Sequence, residues 1–256
     1  RRCRGRDAHA PVAGGGTRGG GEGRRVRARG GRQDRRGGEE AGTEGTRDSL
    51  ADRGGAGRTV YQPAEDSGLL AAAIEERGHG RLLEVGTGSG WVAERATGVD
   101  AVGEVVASDR SPHACRAARE RATAGGSGSG DPSFSVVRAD LLAPFGDAAF
   151  DTVAFNPPYL PTDPENEWDD WMERALSGGE SGREVIEPFL ESVGRVLAPG
   201  GVVLLLVSSL AGYDAVLEYA ADCGLGTDDP AAVVEESYPF ETLSVVGLTP
   251  SSQYNY

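Results

Sequence analysis

A short apolar run that leads through a glycine-rich turn into a helix constrains the fold more than any other feature of this sequence. Residues 81–85 form the run, and Gly86, Gly88 and Gly90 follow before a helical pattern opens at Trp91. Glycines at a strand-to-helix turn let the backbone approach a ligand closely, and the start of the helix offers unpaired N–H groups. The turn predicts a nucleotide-type cofactor, although the dinucleotide fingerprint would have a third glycine at position 91.

Apolar strands and amphipathic helices alternate along the chain after this turn. Strands are predicted at residues 81–85, 104–108, 134–138, 150–155, 202–207, 231–238 and 243–248. Helices are predicted from Asp66 or Ser67, from Trp91, and at residues 112–124, 184–197 and 213–223. Such alternation gives a parallel sheet, whereas two strands joined by a short link form an antiparallel hairpin. The sequence therefore predicts an α/β fold with a seven-stranded sheet, built from five βα units and a C-terminal antiparallel hairpin.

Polar residues follow the ends of several of these strands. Asp109 ends the second strand, Asp140 and Leu141 follow the third, and Asn156 follows the fourth. In an open parallel sheet, ligands bind at the carboxyl ends of the strands, and an acidic residue after the second strand can accept hydrogen bonds from ribose hydroxyls. An aspartate in this position can also cap the helix that starts at Pro112. The combination with the glycine turn favours the binding role.

The segment Asn156-Pro157-Pro158-Tyr159 is rich in hydrogen-bond acceptors. The side-chain oxygen of an asparagine and the carbonyl of a proline both only accept, and two prolines fix where these acceptors point. Such a corner can hold a planar NH2 group by both of its hydrogens, and the tyrosine offers a flat face beside it. An Asn-Pro pair also opens ordinary turns, so the tetrapeptide alone leaves both interpretations open.

Charge divides the chain into two unlike segments. Residues 1–58 contain 15 arginines against 8 acidic residues, whereas residues 59–256 contain 11 arginines against 32 acidic residues. The first segment has too few apolar residues to fold, so we expect a disordered extension at 1–58 and one folded domain at 59–256. The Arg/Gly extension suits either an inert tail, such as a mistranslated upstream frame, or a nucleic-acid-binding arm. The former interpretation is favoured.

The acidic domain argues against a broad nucleic-acid footprint and suits a salt-adapted, halophilic organism. Cys3, Cys115 and Cys223 have no metal-type spacing and no obvious pairing, which fits a reducing cytoplasm. The longest apolar run, at 202–207, is far too short to span a membrane. The long polar stretch at 160–182 predicts either a substrate lid or a charged surface helix, and its length favours a lid.

Taken together, the ordered motifs resemble the archaeal and eukaryotic branch of the HemK-type enzymes, the release-factor glutamine methyltransferases. This family belongs to the class I S-adenosylmethionine-dependent methyltransferases, which share a Rossmann-like fold. The resemblance covers about residues 60–249. The residues that carry it are Val60-Tyr61-x-Pro63-Ala64-Glu65-Asp66-Ser67, Glu84-x-Gly86-x-Gly88-x-Gly90, Asp109, Asp140-Leu141, Asn156-Pro157-Pro158-Tyr159, Gly178-Gly179-x-x-Gly182-Arg183-Glu184-Val185 and Glu241-Thr242-Leu243-Ser244-Val245.

The resemblance implies a role for each candidate residue toward the cofactor S-adenosylmethionine. Gly86, Gly88 and Gly90 would line its methionine and ribose, and Asp109 would hold the ribose hydroxyls. Asp140 and Leu141 would contact the adenine. Ser67, where the family usually has Thr, would contact the methionine end, and Glu84 would help to order the site around that end. Asn156 also contributes to the cofactor site.

The resemblance also implies the reaction and the partners. Asn156, Pro157, Pro158 and Tyr159 would form the catalytic corner for methyl transfer to a glutamine side-chain amide of a translation release factor. The alternative is methylation of an exocyclic amino group of adenine or guanine in nucleic acid, which poses the same geometric problem. A small zinc-binding activator protein would form a heterodimer by covering an apolar edge of the sheet. We also expect a cytoplasmic location and no metal ion in the site.

Overall fold

A computed structural model of the chain describes residue 60 and residues 65–126, 131–162 and 176–251. The predicted extension at 1–58 lies outside these residues. Most of the predicted lid does as well, namely residues 163–175. In the described ranges, no helix is long and apolar enough to cross a membrane.

Seven strands and five helices of the described chain follow the predicted alternation. The strands are β1 (Gly80–Val85), β2 (Val102–Asp109), β3 (Ser135–Arg138), β4 (Phe150–Phe155), β5 (Leu197–Ser208), β6 (Leu225–Ser237) and β7 (Thr242–Pro250). The helices are α1 (Glu65–Arg77), α2 (Trp91–Ala96), α3 (Pro112–Gly125), α4 (Ile186–Val196) and α5 (Tyr213–Asp222). A single turn of 3-10 helix, Ser209–Ala211, follows β5.

One sheet contains all seven strands, in the order β3-β2-β1-β4-β5-β7-β6. The pairs among the first five strands are parallel, whereas β7 runs antiparallel to both β5 and β6. The predicted fold class, including the C-terminal antiparallel hairpin, is confirmed. The connection after β1 crosses to β2 on one side, while β4 pairs with its other side, so a crevice opens between the ends of β1 and β4.

Apolar side chains bury the central strands on both faces. Val203, Leu204, Leu205 and Leu206 in β5 are 0% exposed, as expected for a strand covered by helices on both sides. Helix α4 buries five residues against the sheet: Ile186, Phe189, Leu190, Val193 and Val196. This core holds the strand ends rigidly, and the candidate site is built on those ends.

Several local predictions differ from the structure, among them the start of β6, which begins at Leu225 and not at residue 231. Helix α1 begins at Glu65, so Asp66 lies in its first turn and does not cap it. Strand β5 begins at Leu197, because the segment before the apolar run already pairs with Phe150 of β4. Residues 139–149 connect β3 to β4 through turns without a helix, so the third βα unit is incomplete. Cys115 is free and buried, whereas Cys223 is disulfide-bonded, contrary to the expectation of unpaired cysteines.

Candidate active site

The glycine turn after β1 adopts a backbone conformation that side chains disfavour. Gly86, Gly88 and Gly90 have φ angles of 68°, 54° and 77°. A Cβ atom on Gly86 would lie 3.3 Å from the ring of Phe155, the last residue of β4. A Cβ atom on Gly90 would lie 2.9 Å from the Cα atom of Ala118 in α3, closer than real Cβ contacts. The glycines therefore keep the turn tight and pack it against both neighbours.

Glu84 supports this turn from inside the protein. Its side chain is 3% exposed and accepts a 2.6 Å hydrogen bond from Thr87 Oγ1 within the turn. Burial raises the pKa of Glu84 to about 8, while hydrogen bonds from Thr87 and from the backbone of Ala93 act in the opposite direction. The nearby charge of Asp109 adds a smaller upward shift to that pKa. Glu84 thus ties the strand, the turn and helix α2 together.

Asp109 lies at the end of β2, directly beside the glycine turn. Its Oδ2 atom accepts a 2.9 Å hydrogen bond from the backbone N–H of Gly88, and Oδ1 accepts a 2.8 Å bond from that of Ser111. Burial raises the pKa of Asp109, and these backbone bonds partly offset the shift. The N-cap of α3 is Ser111, whose side chain accepts from His113 and Ala114. The alternative role of Asp109 as the helix cap is therefore wrong.

Asp140 and Leu141 lie next to Asp109 at the end of β3. The backbone N–H of Ala139 donates a 3.0 Å hydrogen bond to the carbonyl of Asp109, which holds the two strand ends together. Asp140 is exposed, with a carboxylate oxygen 3.7 Å from Nε of Arg110. Leu141 has a φ of 46°, in the left-handed region that a non-glycine residue seldom adopts. A strained residue of this kind commonly marks a ligand site.

Asn156 follows β4 on the other side of the crevice. Its Nδ2 atom donates a 3.1 Å hydrogen bond to Oδ2 of Asp66, from the first turn of α1. Within the described ranges, its Oδ1 atom has no intramolecular hydrogen bond. Ser67 is adjacent, and its backbone N–H donates a 2.7 Å bond to Oδ1 of Asp66. Helix α1 is thereby joined to the strand end that carries the tetrapeptide.

The end of the tetrapeptide is held by the glycine-rich loop at 178–182. Tyr159 is 5% exposed and packs in the hydrophobic core. Leu160 accepts a hydrogen bond from the N–H of Gly178, and a Cβ atom on Gly182 would lie 2.7 Å from the carbonyl of Tyr159. The small residues of this loop therefore let it approach the backbone of the tetrapeptide. Two prolines and a buried tyrosine keep that backbone rigid.

The structure brings the predicted site residues to one edge of the sheet and adds two that the sequence interpretation missed. The missed residues are Asp66, which contacts Asn156, and Thr87, which contacts Glu84. Both are at most 5% exposed although they are polar, and buried polar side chains in a site are held by specific partners. Asp66 stands in the motif that ends at Ser67, but an aspartate at this position also indicates a helix start, and the sequence interpretation gave it only that role.

The residues present fit a cofactor that carries a ribose. The Asp109 carboxylate keeps lone pairs beyond its two backbone bonds, so it can accept from hydroxyl groups. Between Asp109 and Asn156, the glycine turn lets a cofactor lie close to the backbone. For the described part of the chain, no cluster of His, Cys, Asp or Glu could hold a metal ion. A mostly parallel seven-stranded sheet with an antiparallel β7 and a ribose-accepting crevice is the architecture of the class I S-adenosylmethionine-dependent methyltransferases.

Comparison with known proteins identifies the family. Residues 63–169 match the methyltransferase small domain. The chain is 32% identical over 187 residues to a Methanocaldococcus jannaschii protein named as a candidate protein N5-glutamine methyltransferase, covering 73% of this chain and 90% of that protein. It is 33% identical over 207 residues to human methyltransferase HEMK2, covering 77% and 92%. The chain therefore belongs to the HemK-type family of methyltransferases.

Two further comparisons concern another relative and the fold. The chain is 37% identical over 157 residues to the release factor glutamine methyltransferase of Deinococcus radiodurans, covering 58% of this chain and 54% of that protein. The solved structure of a ribosomal protein L11 methylase from Lactobacillus delbrueckii superposes with a TM-score of 0.54 and 17% identity, covering 75% of this chain and 81% of that chain. The latter supports the fold alone.

Proposed function

We propose that this enzyme transfers a methyl group from S-adenosylmethionine to the side-chain amide nitrogen of a glutamine in a translation release factor. The observation that carries the proposal is the orientation of Asn156. Its NH2 group is bound to Asp66, so its oxygen is the atom available to a substrate at the end of β4. The names of the relatives from Methanocaldococcus and Deinococcus support the same substrate class.

The cofactor would be held along the strand ends. Gly86, Gly88 and Gly90 would lie against its methionine and ribose, and Asp109 would accept hydrogen bonds from the ribose hydroxyls. The other contacts follow the family pattern and come from Ser67, Glu84, Asp140, Leu141 and Asn156. The cofactor supplies a methyl group on a positively charged sulfur, which leaves as a neutral thioether.

The protein would act on the amide by orienting it and by stabilising charge. An amide nitrogen is a poor nucleophile because its lone pair is delocalised into the carbonyl. The Oδ1 atom of Asn156 and the carbonyl of Pro157 would accept both N–H hydrogens, so the nitrogen points along one direction. Both acceptors would also stabilise the positive charge that develops on the nitrogen. Pro158 would stiffen the turn and Tyr159 would close the site. After the transfer, the methylated nitrogen would lose one proton to water, because an N-protonated amide is a strong acid and needs no strong general base.

The alternative substrate is an exocyclic amino group of adenine or guanine, and one structural observation favours it. Arg116, Arg119 and Arg138 line an open groove of about 620 Å³ beside α3 and β3. A basic patch is the expected footprint of a nucleic-acid-binding protein. However, residues 59–256 carry 21 more acidic residues than arginines, which opposes a broad polyanion contact. The protein substrate is therefore the first choice.

A labelling experiment separates these substrates. The enzyme, in high salt, would receive S-adenosylmethionine with a labelled methyl group, together with the organism's release factor, its DNA and its RNA in separate reactions. Label on a glutamine of the release factor is the expected result. Label on nucleic acid alone would reject the proposal and make the groove at Arg116, Arg119 and Arg138 the next target.

A small zinc-binding activator is proposed as a partner at the β3 edge of the sheet. Among the strands that the structure describes, β3 pairs with β2 alone, and none of them pairs with its other edge. Val136 and Val137 are only partly buried there. An open edge strand with apolar side chains favours pairing with another protein. We expect the enzyme alone to be poorly soluble or weakly active, and full activity as a monodisperse single protein would contradict the partnership.

The domain boundary and the location in the cell are also proposals. Residues 59–256 would form the methyltransferase domain, and the extension at 1–58 would not contribute to the reaction. A translation release factor works in the cytoplasm, so the enzyme would work there too. A chain that starts at residue 59 and retains both cofactor binding and transfer would support this division.

A further inference from the structure

The side chain of Asp66 contacts the catalytic asparagine from a buried position, where acidic side chains are rarely found. It is 2% exposed although it is acidic, and it comes from α1, which precedes the first strand of the sheet. Its Oδ2 atom accepts a 3.1 Å hydrogen bond from Nδ2 of Asn156, a residue 90 positions away in the sequence. Burying a charged group is costly unless it is hydrogen-bonded, so this contact is expected to be functionally important.

We infer that Asp66 is a positioning residue that fixes the side-chain amide of Asn156 and strengthens its oxygen as an acceptor. The inference rests on the proposed function, because it concerns the same methyl transfer. Asp66 does not itself contact the substrate in this proposal. It acts only through Asn156.

The first effect is orientational. The NH2 and oxygen ends of an asparagine amide have nearly the same shape, and rotation by 180° exchanges a donor for an acceptor. A carboxylate can only accept, so Asp66 is compatible with the NH2 end alone. The oxygen of Asn156 must then face the crevice. A reversed amide would present two hydrogens to the two hydrogens of the substrate, which is repulsive.

The second effect is electrostatic. Hydrogen bonds in a chain polarise one another in a low-dielectric interior. The negative charge of Asp66 draws the Nδ2 hydrogens toward itself and increases the negative partial charge on Oδ1 of Asn156. A stronger acceptor stabilises the positive charge on the reacting nitrogen more in the transition state than in the ground state. Asp66 is itself held in place by the backbone N–H of Ser67, at 2.7 Å from Oδ1.

Asp66→Asn is the most informative substitution because it keeps the shape and removes the charge. An amide at this position has one acceptor oxygen for the three donors that face it, namely the N–H and the hydroxyl of Ser67 and the NH2 of Asn156. We expect kcat for methyl transfer to fall on the order of 100-fold, since small misplacements of a positioning group have effects of this size. The Kd of S-adenosylmethionine is expected to change much less than kcat. The matched control is Glu76→Gln, which removes one charge from an exposed site on the same helix.

A double substitution distinguishes positioning from a general loss of structure. Combining Asp66→Asn with Asn156→Asp exchanges the donor and the acceptor, so the hydrogen bond between the two positions can form again. We expect this pair to transfer methyl groups faster than Asp66→Asn alone. If the double variant transfers methyl groups no faster than Asp66→Asn, the role of Asp66 is merely structural. The same conclusion follows if the cofactor affinity and the melting temperature of Asp66→Asn fall as much as its kcat.

An activity-independent measurement completes the test. The sequence contains three asparagines, at positions 156, 166 and 255, so selective ¹⁵N-asparagine labelling gives few side-chain amide signals. The pair that disappears in Asn156→Ala belongs to Asn156. We expect its ¹H shifts and hydrogen exchange to change in Asp66→Ala, and unchanged signals would overturn the inference. If the wild-type enzyme fails to label a release factor, the proposed function fails, while this spectrum still decides whether Asp66 holds Asn156.

Discussion

At the scale of single residues, Asn156 and Asp109 lie on opposite sides of the crevice, and the proposed mechanism gives them different steps. We expect Asn156→Ala to reduce methyl transfer about 100- to 1000-fold, the range seen when one preorganised charge-stabilising group is removed. The Kd of S-adenosylmethionine should stay close to the wild-type value because the glycine turn and Asp109 are untouched. Single-turnover kinetics measures the loss of methyl transfer, and calorimetric titration measures the Kd of the cofactor. Equal losses of both would mean that Asn156 is chiefly structural.

Asp109→Ala should show the opposite pattern. The substitution removes the carboxylate that would accept from the ribose hydroxyls, and hydrogen bonds to charged groups contribute about 1.5–3 kcal/mol. We expect the Kd of S-adenosylmethionine to rise about 10- to 100-fold, with kcat at saturating cofactor changed far less. Asp100→Ala removes an exposed carboxylate before the same strand and serves as the control. A Kd that stays at the wild-type value in Asp109→Ala would reject the ribose contact.

Glu84 makes the stability of the cofactor-free protein depend on pH. Its pKa is raised from 4.5 to about 8 in the folded state, chiefly by burial, so the folded protein holds a proton that the unfolded chain releases. Its contribution to stability is therefore present below about pH 4.5 and is lost as the pH rises toward 8. We expect the free energy of unfolding, measured with urea, to fall across this window. In Glu84→Gln the free energy of unfolding should fall less across the same pH window. A fall as large as that of the wild-type protein would mean that Glu84 is not the titrating group.

At the scale of secondary-structure elements, the glycine turn fixes how closely β1, α2 and α3 approach. Gly90 has a φ of 77°, and an added Cβ atom would lie 2.9 Å from the Cα atom of Ala118. Gly90→Ala should lower the free energy of unfolding by about 2–4 kcal/mol, from the left-handed backbone and from overpacking. Gly194→Ala is the matched control in α4, where an added Cβ meets nothing within 4 Å. Urea titration of both variants checks the difference, and equal effects would contradict it.

The elements themselves were largely predictable because their signals are local. Strands β1 and β4 match the prediction within one residue, since each is an apolar run that ends in a glycine or an asparagine. The start of α1 was not predicted correctly because Asp66 resembles a helix cap in sequence. Its carboxylate instead contacts Asn156, 90 residues away, and no local pattern encodes such a contact. The start of β5 was misplaced for a related reason, because pairing with β4 extends it.

At the scale of the whole molecule, the sheet was predictable in class but less so in its details. Right-handed connections between parallel strands leave few arrangements for successive βα units. The position of β7 between β5 and β6 follows from the antiparallel hairpin joining the edge of the parallel strands. The predicted helices include none between β3 and β4, because residues 139–149 are few and carry no clear period, and the structure shows turns there. The candidate site residues share one edge because the carboxyl ends of the parallel strands β1 to β5 all lie at that edge.

The charge of the domain sets the last expectation, which concerns salt. Residues 59–256 carry 32 acidic residues against 11 arginines, so the folded state repels itself at low ionic strength. The Debye length is about 10 Å at 0.1 M salt and about 3 Å at 1 M, so added salt screens most of this repulsion. We expect the melting temperature to rise as KCl increases from 0.1 to 1 M. The rise should level off at the upper end, because screening saturates.

A comparison of solutes identifies the cause of that rise. Sucrose stabilises folded proteins by exclusion from their surface and does not screen charge. If repulsion limits stability, KCl at low concentration should raise the melting temperature well before sucrose at the same molarity has an effect. Equal responses to both solutes, or no response to KCl, would mean that the acidic surface does not limit the stability of this domain. The acidity would then affect solubility alone.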